Sequence, residues 1–340
     1  MKIEKNTITR NLIIMCAKKS SEHPSKEEAE SEGEEKELTE EELKEKKLES
    51  HRKAGKIAKE ALQKAADMTK PGVKVMDLIT EIEQFIIDQD GQIGFPMNVS
   101  INNVAAHYTS GMRDTTEIEN GMVVKLDLGV HVEGFIADTA TTVNLSDDPD
   151  LENIFTAAKE SMEAGIDMIK VGTKTNEIGK KIYEIIKSYK YNPIKDLSGH
   201  TVEQWMVHGG KQIPLIPKPK GDTIEEGDVF AVETFASTGE GQTHAMHYGN
   251  IYQLIVNRVP KIRNKSAKKL IGFIAKYYKT LPFCQRSWMK ELAVPRFAIN
   301  DLINTGVLLE YKVLSDIKGS FVAQSEKTVF VHEDHIEILT

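Results

Sequence analysis

The feature that most constrains the fold of this 340-residue chain is an internal repeat. Three pairs of segments match in the same order, at offsets of 100 to 106 residues: 67–74 with 167–174, Ala106-His107 with Val207-His208, and 119–127 with 225–233. Matches in order at nearly constant spacing indicate a duplicated unit of about a hundred residues. The last pair ends on Asp127 in one copy and Glu233 in the other. We therefore expect two similar halves whose acids and histidines meet near the seam between them.

Charge divides the chain into three parts. Residues 21–50 contain thirteen Glu, five Lys and no aromatic residue, so they cannot bury enough apolar surface to offset the entropy of ordering. We predict that residues 1–50 form a charged, mostly disordered extension, with transient helix near 38–48. Residues 258–312 contain twelve Lys or Arg against three Asp or Glu and have no counterpart in the first half. They are predicted to be a basic helical insert in a folded domain of residues 51–257 and 313–340.

Hydrophobic periodicity predicts helices that alternate with antiparallel hairpins. Helical spacing marks two helices in each half and three in the insert: 48–70, 75–90, 151–170, 175–189, 266–279, 282–292 and 295–305. Apolar runs mark an extended segment near 95–99 and five strands: 122–130, 135–145, 228–236, 321–331 and 335–339. This order is typical of an α+β fold, and a duplicated α+β unit would form one pseudo-symmetric sheet backed by helices.

Four acids stand on apolar strands, where a carboxylate requires a partner. Asp127 and Asp138 are equidistant from the middle of the predicted hairpin, so a simple register places them directly opposite each other. Glu233 and Glu326 stand in apolar strands of the second half. Such oxygen-rich ligands suit divalent Mn, Fe, Co or Zn. Four carboxylates and an imidazole exceed the three protein ligands usual for a catalytic zinc, and they fit a two-metal centre.

Three of the ten histidines are candidates for the same site. His107 and His208 occupy matching positions in the repeat. His200 lies eight residues before His208, and in an extended segment both side chains would point to one side. Structural roles are predicted for four others: His51, His131, His332 and His335.

These residues and the segments around them resemble the pita-bread metallopeptidases, and within them the type 2 methionine aminopeptidases. The resemblance covers about residues 50–340 and rests on these motifs: Phe95-Pro96, Ser100-Ile101-Asn102-Asn103, Ala105-Ala106-His107-Tyr108-Thr109, Gly134-Phe135-Ile136-Ala137-Asp138-Thr139-Ala140 and Ala323-Gln324-Ser325-Glu326. The insert, with Thr280-Leu281-Pro282-Phe283-Cys284 and Asp316-Ile317-Lys318-Gly319-Ser320, is the type 2 hallmark. The resemblance therefore implies a duplicated pita-bread fold with a winged-helix-like insert.

The resemblance also implies an activity: removal of the initiator methionine from nascent proteins with a small second residue, by a hydroxide that bridges two divalent ions (Co, Mn, Fe or Zn). The implied metal ligands are Asp127, Asp138, His200, Glu233 and Glu326. The implied catalytic residues are His107 and His208, at the scissile peptide and its carbonyl, and Glu233 as the proton shuttle. The implied substrate-binding residues are Phe95, His107, Val207, His208, Phe235, His247 and Tyr311. The chain departs from the family pattern at Lys327, where a histidine is usual, and at Ser110, where a proline is common.

Two other functions remain open. An X-Pro dipeptidase of the same fold would use the same five ligands, although the insert and the His107-Tyr108-Thr109 segment argue against it. A non-catalytic adaptor that binds RNA or the ribosome would use the basic insert, but it would not need all five ligands. A peptidase acting on nascent chains could also contact the ribosome through the charged tail or through Lys265, Lys268 and Lys269, although a solvated helix face is the simpler interpretation.

Cysteine usage and hydropathy bear on the compartment. Cys16 and Cys284 cannot form a disulfide framework, and no stretch approaches twenty continuous apolar residues. We therefore expect a cytoplasmic protein without membrane contact, and a monomer.

Overall fold

The computed structural model describes residues 39–255, 262–289, 292 and 294–340. The helices are α1 (Glu40–Met68), α2 (Val75–Asp88), α3 (Glu152–Asp167), α4 (Thr175–Ser188), α5 (Lys265–Tyr277), α6 (Arg286–Met289) and α7 (Arg296–Asn304). The strands are β1 (Gln92–Ile101), β2 (Val104–Ala106), β3 (Val123–Val132), β4 (Phe135–Asn144), β5 (Asn192–Pro193), β6 (Ser198–Thr201), β7 (Gln212–Pro214), β8 (Val229–Ser237), β9 (His244–Ala245), β10 (Ile251–Leu254), β11 (Phe283–Cys284), β12 (Leu308–Tyr311), β13 (Leu314–Ser315), β14 (Val322–Val331) and β15 (Ile336–Ile338). Among the helices described, none has both the length and the apolar character needed to cross a bilayer.

A nine-stranded antiparallel sheet forms the centre of the protein. Its main path runs β1-β3-β4-β14-β8-β6-β7, with β15 beside β14 and β5 beside β8. In the first half, α1, α2 and β3 bury one apolar cluster, and in the second half α3, α4 and β8 bury another. Fully buried residues recur at the repeat offset: Ala58 and Ala158, Ile82 and Ile182, Leu126 and Val232. The prediction of a pseudo-symmetric α+β sheet backed by helices is confirmed.

The repeat extends to the backbone of the turns before α2 and α4. Gly72 N–H donates to Ile118 O at 2.8 Å, and Gly172 N–H donates to Ile224 O at 2.9 Å. Both glycines have a φ of 89°. That conformation is strained for a residue with a Cβ atom, which explains why glycine occupies both positions.

The two halves meet between β4 and β14, and this seam differs from an ordinary ladder. Ala140 and Glu326 are the registered pair across it. Elsewhere threonine hydroxyls bridge the strands: Thr328 Oγ1 accepts from Asp138 N at 2.8 Å and donates to Asp138 O at 2.6 Å. Thr142 bonds to the backbone of β14 in the same way. Side chains therefore replace part of the backbone ladder where the halves join.

Helix α1 begins at Glu40, earlier than the predicted residue 48. A capping box explains this start, because Thr39 Oγ1 accepts from Glu42 N while Thr39 N donates to the Glu42 carboxylate. Further along, Leu48 packs against a buried cluster and Lys47 Nζ donates to Gly227 O at 2.6 Å. Helix α1 therefore begins before the predicted domain boundary at residue 50, although its first buried side chain is Ser50. The predicted disorder of residues 1–38 lies outside the described residues.

The β3–β4 hairpin has a different register from the predicted one. Asp127 lies opposite Ala140, so Asp127 and Asp138 are diagonal neighbours on one face and not directly opposite. The turn explains the difference, because Glu133 and Gly134 have φ values of 52° and 87° and form a two-residue connection. Positive φ at both central residues is the geometry of a type I′ turn, whereas the prediction assumed a longer link.

The insert contains less helix and more strand than predicted. Helices α5 and α7 are present, but the predicted helix at 282–292 contains β11 and the four-residue α6. Strand β11 pairs with β10, and β10 pairs with β12, which gives the insert its own three-stranded sheet. This pairing buries Phe283 against Tyr252, a long-range contact that helical periodicity does not reveal.

The hairpin turn supplies a stability test. A Cβ atom at Gly134 would lie 2.3 Å from the ring of Trp205, whereas one at Gly172, with a similar φ, would meet no atom within 4 Å. We expect Gly172→Ala to lower the free energy of unfolding by about 1–2 kcal/mol through backbone strain alone. Gly134→Ala should lower it by roughly 1–3 kcal/mol more because of overpacking. Urea denaturation of both variants measures the difference, and equal losses would contradict the close packing of Trp205 on the turn.

Candidate active site

Four carboxylates lie together across the middle of the sheet. Asp127 on β3 lies opposite Ala140 on β4, which in turn lies opposite Glu326 on β14. Glu326 lies opposite Glu233 on β8. Residues opposite each other in antiparallel strands project to the same face, and so does Asp138, two residues before Ala140. The sheet therefore brings acids from both repeats to one face at the seam.

His200 joins the acids from the next strand, β6. It lies opposite Ala231, two residues before Glu233, and therefore projects to the same face. Its Nδ1 atom is 3.3 Å from Thr201 O, and its Nε2 atom is 3.9 Å from Asp138 Oδ2. Since a carbonyl oxygen only accepts, Nδ1 carries the proton and the Nε2 lone pair faces the acids.

The arrangement of donor atoms fits a divalent metal. Ligand atoms of Asp138, His200 and Glu326 all lie within 4.8 Å of one another. Among the described residues, one buried carboxylate oxygen of Asp127 and one of Asp138 have no hydrogen-bond partner. Buried carboxylate oxygens without donors are costly, and a cation among them would remove this penalty.

Burial keeps the acids from ionising as ordinary surface carboxyls do. Loss of hydration raises the pKa of Asp127 to about 7. Burial, and then repulsion from the neighbouring acids, holds the pKa values of Asp138, Glu233 and Glu326 well above their usual range. Burial lowers the pKa of His200 to about 3, so this imidazole is neutral near pH 7 and free to bind a metal.

A buried lysine precedes Asp127 by two residues, but it does not neutralise the acids. Lys125 is fully buried, and its Nζ atom donates to Asn102 O and Val322 O, each at 2.9 Å. Burial lowers its pKa to about 7. The sole salt-bridge contact of the four acids, within the part of the chain described, joins Asp138 to the neutral His200. Within the described residues, therefore, no cationic side chain pairs with the four acids.

His107 and His208 lie beside this cluster, and both are close to Tyr311. The ring of His107 is 5.3 Å from that of Tyr311, and the ring of His208 is 6.1 Å from it. His208 also lies 4.6 Å from the ring of His200. Burial lowers the pKa of His107 to about 4. The side chain of His208 is exposed, yet loss of part of its hydration lowers its pKa as well. Both imidazoles are therefore neutral near pH 7.

The expectation that His200 and His208 point to one side assumed an extended segment between them. The segment is not extended. It folds back on itself, because Glu203 and Met206 exchange backbone hydrogen bonds and Gly209 N donates to Thr201 O. This return brings His208 back beside His200, so the predicted proximity is found by a different route.

One cavity contains nearly all the predicted site residues. Its volume is about 270 Å³. The predicted residues in its lining are Phe95, His107, Asp127, Asp138, His200, Val207, His208, Glu233, Phe235, Tyr311 and Glu326. His247 does not line it; this residue is exposed, and its ring packs beside Tyr248. A larger cavity of about 600 Å³, lined by Arg286 among others, contains none of the four acids.

Sequence reasoning missed eight residues that line this cavity: Asn98, Ala106, Asp196, Leu197, Ser198, Gln212, Ile251 and Pro282. Asn98 had a detectable signal, since it is a lone amide in an apolar strand. It is buried, lies opposite Asp127, and its Oδ1 atom has no partner among the described residues. Ile251, on β10 before the insert, and Pro282, within the insert, also reach the cavity, and no local pattern marks them.

Similarity to known proteins agrees with this site. Residues 49–261 match metallopeptidase family M24. The chain is 40% identical over 290 residues to a methionine aminopeptidase from Pyrococcus horikoshii, covering 84% of this chain and 97% of that protein. It is 36% identical over 310 residues to methionine aminopeptidase 2 from Schizosaccharomyces pombe, covering 85% and 71% of the two chains.

The fold of the chain is also similar to that of a solved methionine aminopeptidase. The crystal structure of methionine aminopeptidase from Thermotoga maritima superimposes with a TM-score of 0.65 at 20% identity, covering 87% of this chain and 96% of that one. The family match and the extent of these identities lead to one assignment: the chain belongs to metallopeptidase family M24, among the methionine aminopeptidases.

Proposed function

We propose that this protein removes the initiator methionine from nascent polypeptides with a small second residue, as a metal-dependent aminopeptidase. The observation that carries the proposal is the group of four acids, two of them buried and two partly buried, and His200, with His107 and His208 beside it in one cavity. An adaptor without activity has no use for four carboxylates held out of water without a compensating charge.

Five residues would hold two divalent ions: Asp127, Asp138, His200, Glu233 and Glu326. Four carboxylates and one imidazole exceed what a single catalytic zinc takes from a protein, which supports a pair of ions. Co, Mn, Fe and Zn all accept these ligands. When bound, the ions would supply an acidified water as the nucleophile for the peptide carbonyl.

The surroundings of the two histidines support different roles. His107 Nδ1 is 3.2 Å from Lys312 O, and since a carbonyl oxygen only accepts, Nδ1 carries the proton. Neutral His107 then presents an Nε2 lone pair, which suits the N–H of the scissile peptide. His208 would donate to the oxygen of the carbonyl as negative charge develops there. Glu233, whose pKa is raised by burial, would carry the proton to the leaving amine.

Apolar and aromatic side chains in the same cavity would hold the methionine. Phe95, Val207 and Phe235 are buried, and the ring of Tyr311 lies near those of both histidines. Aromatic rings make favourable contacts with a thioether sulfur. The free α-amine would approach the acids, so a blocked N-terminus should not react. Because nascent chains are the substrate, we place the protein in the cytoplasm.

A second candidate activity, ribosome contact, rests on one face of the insert. Lys265, Lys268 and Lys269 are exposed on α5, and Tyr277 and Phe297 are 51% and 61% exposed. Exposed lysines and exposed aromatic rings are each suited to binding nucleic acid, through phosphates and bases respectively. An aminopeptidase bound there would meet its substrate as the chain emerges.

The main activity is tested by methionine release from a Met-Ala-Ser peptide. Metal-stripped protein should be inactive and should recover activity when Mn, Co, Fe or Zn is restored singly. Asp138→Asn, which removes one ligand charge, should lower kcat by about 10² or more. Release from an acetylated peptide, and cleavage of Ala-Pro, should be negligible. Cleavage of Ala-Pro but not of Met-Ala-Ser would favour an X-Pro dipeptidase, and no cleavage by folded protein would favour an adaptor.

Metal binding should release protons in a pH-dependent amount. With its pKa raised to about 7, Asp127 retains much of its proton at pH 6.5, where ordinary carboxyls are ionised, and the pKa values of the neighbouring acids are raised in the same direction. Metal must displace these protons, so apparent affinity should rise and proton release should fall as pH increases through about 7. Titration calorimetry in two buffers of different ionisation enthalpy counts the protons. Release that is absent at pH 6.5, or that grows with pH, would contradict the proposed ligands.

Ribosome contact predicts salt-sensitive pelleting. Changing Lys265, Lys268 and Lys269 together to Glu should abolish co-sedimentation with ribosomes at about 0.1 M salt, because phosphate contacts weaken steeply with lost positive charge. The matched control carries the same charge reversal on exposed lysines of α4: Lys180, Lys181 and Lys187. Pelleting that survives the first set of changes, or is lost equally with the second, would reject contact through the insert.

A further inference from the structure

The insert contacts both of the loops that carry His107 and His208. We call residues 202–209 the His208 loop, and residues 107–114 the His107 loop. Trp205 lies at the tip of the His208 loop, with a φ of 63° that is unusual for a large side chain. Such a conformation persists only where surrounding contacts hold it.

On one side, the β3–β4 turn holds the tip of the His208 loop. Trp205 N donates to Gly134 O at 2.8 Å, and Gln204 Nε2 donates to Glu133 O at 2.9 Å. The indole ring packs directly on Gly134, where no Cβ atom could fit, and lies 5.0 Å from the ring of His131.

On the other side, the insert holds the same tip. The hydroxyl of Thr280 donates to Trp205 O. Lys279 Nζ lies 3.5 Å from the centre of the indole ring, a cation–π contact. Trp205 is thus enclosed between the turn of the first repeat and the insert, three residues before His208.

The insert also holds the His107 loop, through Arg286. This guanidinium is largely buried; it donates to Thr109 Oγ1 at 3.0 Å and to Ser110 O. It also pairs with Glu83 on α2 at 2.9 Å. Lys312 O, just after β12, accepts from His107 itself.

We infer that Trp205 and Arg286 are positioning residues, through which the insert sets the placement of both histidines relative to the acids. This inference rests on the proposed aminopeptidase function and extends it. It gives the insert a role in the reaction, in addition to the proposed contact with the ribosome. Displacing a catalytic group by about 1 Å can reduce a rate by as much as 10². Loss of the contacts made by Trp205 or by Arg286 should therefore lower kcat while leaving the metal ligands in place.

The test for Trp205 is a double-mutant cycle with His208. In metal-loaded protein, Trp205→Ala should lower kcat on Met-Ala-Ser at least about tenfold, with KM and calorimetric metal affinity changed less than about twofold. Trp205→Phe, which keeps a ring on Gly134, should restore most of the rate. In a His208→Ala background, Trp205→Ala should have no further effect, because the residue acts through His208.

Two outcomes would overturn the role of Trp205: wild-type kcat in Trp205→Ala, or an equal further loss in the His208→Ala background. An equal further loss in that background would show that Trp205 supports the fold and does not act through His208. If His208→Ala itself keeps full kcat while the protein still releases methionine, the fault lies in the proposed role of His208. If no variant and no wild-type protein releases methionine, the proposed function fails.

Arg286 is tested in the same way against His107. Arg286→Lys keeps a positive charge near Glu83 but cannot make all three contacts, so the fold should survive while kcat falls several-fold. This loss should vanish in a His107→Ala background. The control is Arg52→Lys, which disturbs a comparable two-bond pair with Glu337 away from both loops and should leave kcat unchanged. Equal effects of Arg286→Lys with and without His107 would reject the proposed coupling.

Discussion

Four carboxylates facing one another in an apolar sheet repel each other and lose their hydration, and the rest of the architecture is arranged around this constraint. Helices cover the other face of the sheet and exclude water from it. Without this cover, water would reach the strands and the acids could ionise separately. His200 offers a neutral lone pair, and Lys125, although close in sequence, bonds to backbone carbonyls. A divalent cation is the group that makes this arrangement favourable, and the same cation makes it an active site.

The fold is nearly symmetric, but its chemistry is not. His107 and His208 occupy equivalent places in the repeat, as do Asp127 and Glu233. The insert belongs to one half only, and its end supplies the Lys312 carbonyl that fixes the tautomer of His107. Nε2 of His107 is thereby left as an acceptor, and among the described residues His208 makes no such carbonyl contact. We propose that the asymmetric insertion in this way gives two groups at matching positions of the repeat different roles.

The sequence predicted the parts of the molecule that depend on local pattern, and failed where distant contacts decide. The repeat and the apolar periodicity predicted the sheet and its helices, because burial on one face dictates both. The register of Asp127 and Asp138 required the turn conformation at Glu133 and Gly134, which composition alone does not specify. The early start of α1 had a local signal that was missed, the capping box of Thr39 and Glu42. The pairing of β11 and the position of Trp205, in contrast, depend on residues distant in the sequence. Family resemblance supplied the roles of the site residues, and it also supplied His247, which lies outside the cavity.

The threonine bridges at the seam affect how such a site can change over evolution. Strands joined by a full ladder stand at a fixed spacing of about 4.8 Å, whatever their side chains. Between β4 and β14 the bridges run through Thr142 and Thr328, so side chains help to determine the separation of the two halves of the acid cluster. Substitutions at these positions would therefore act on the separation of the two halves, without disturbing the ladder within either one.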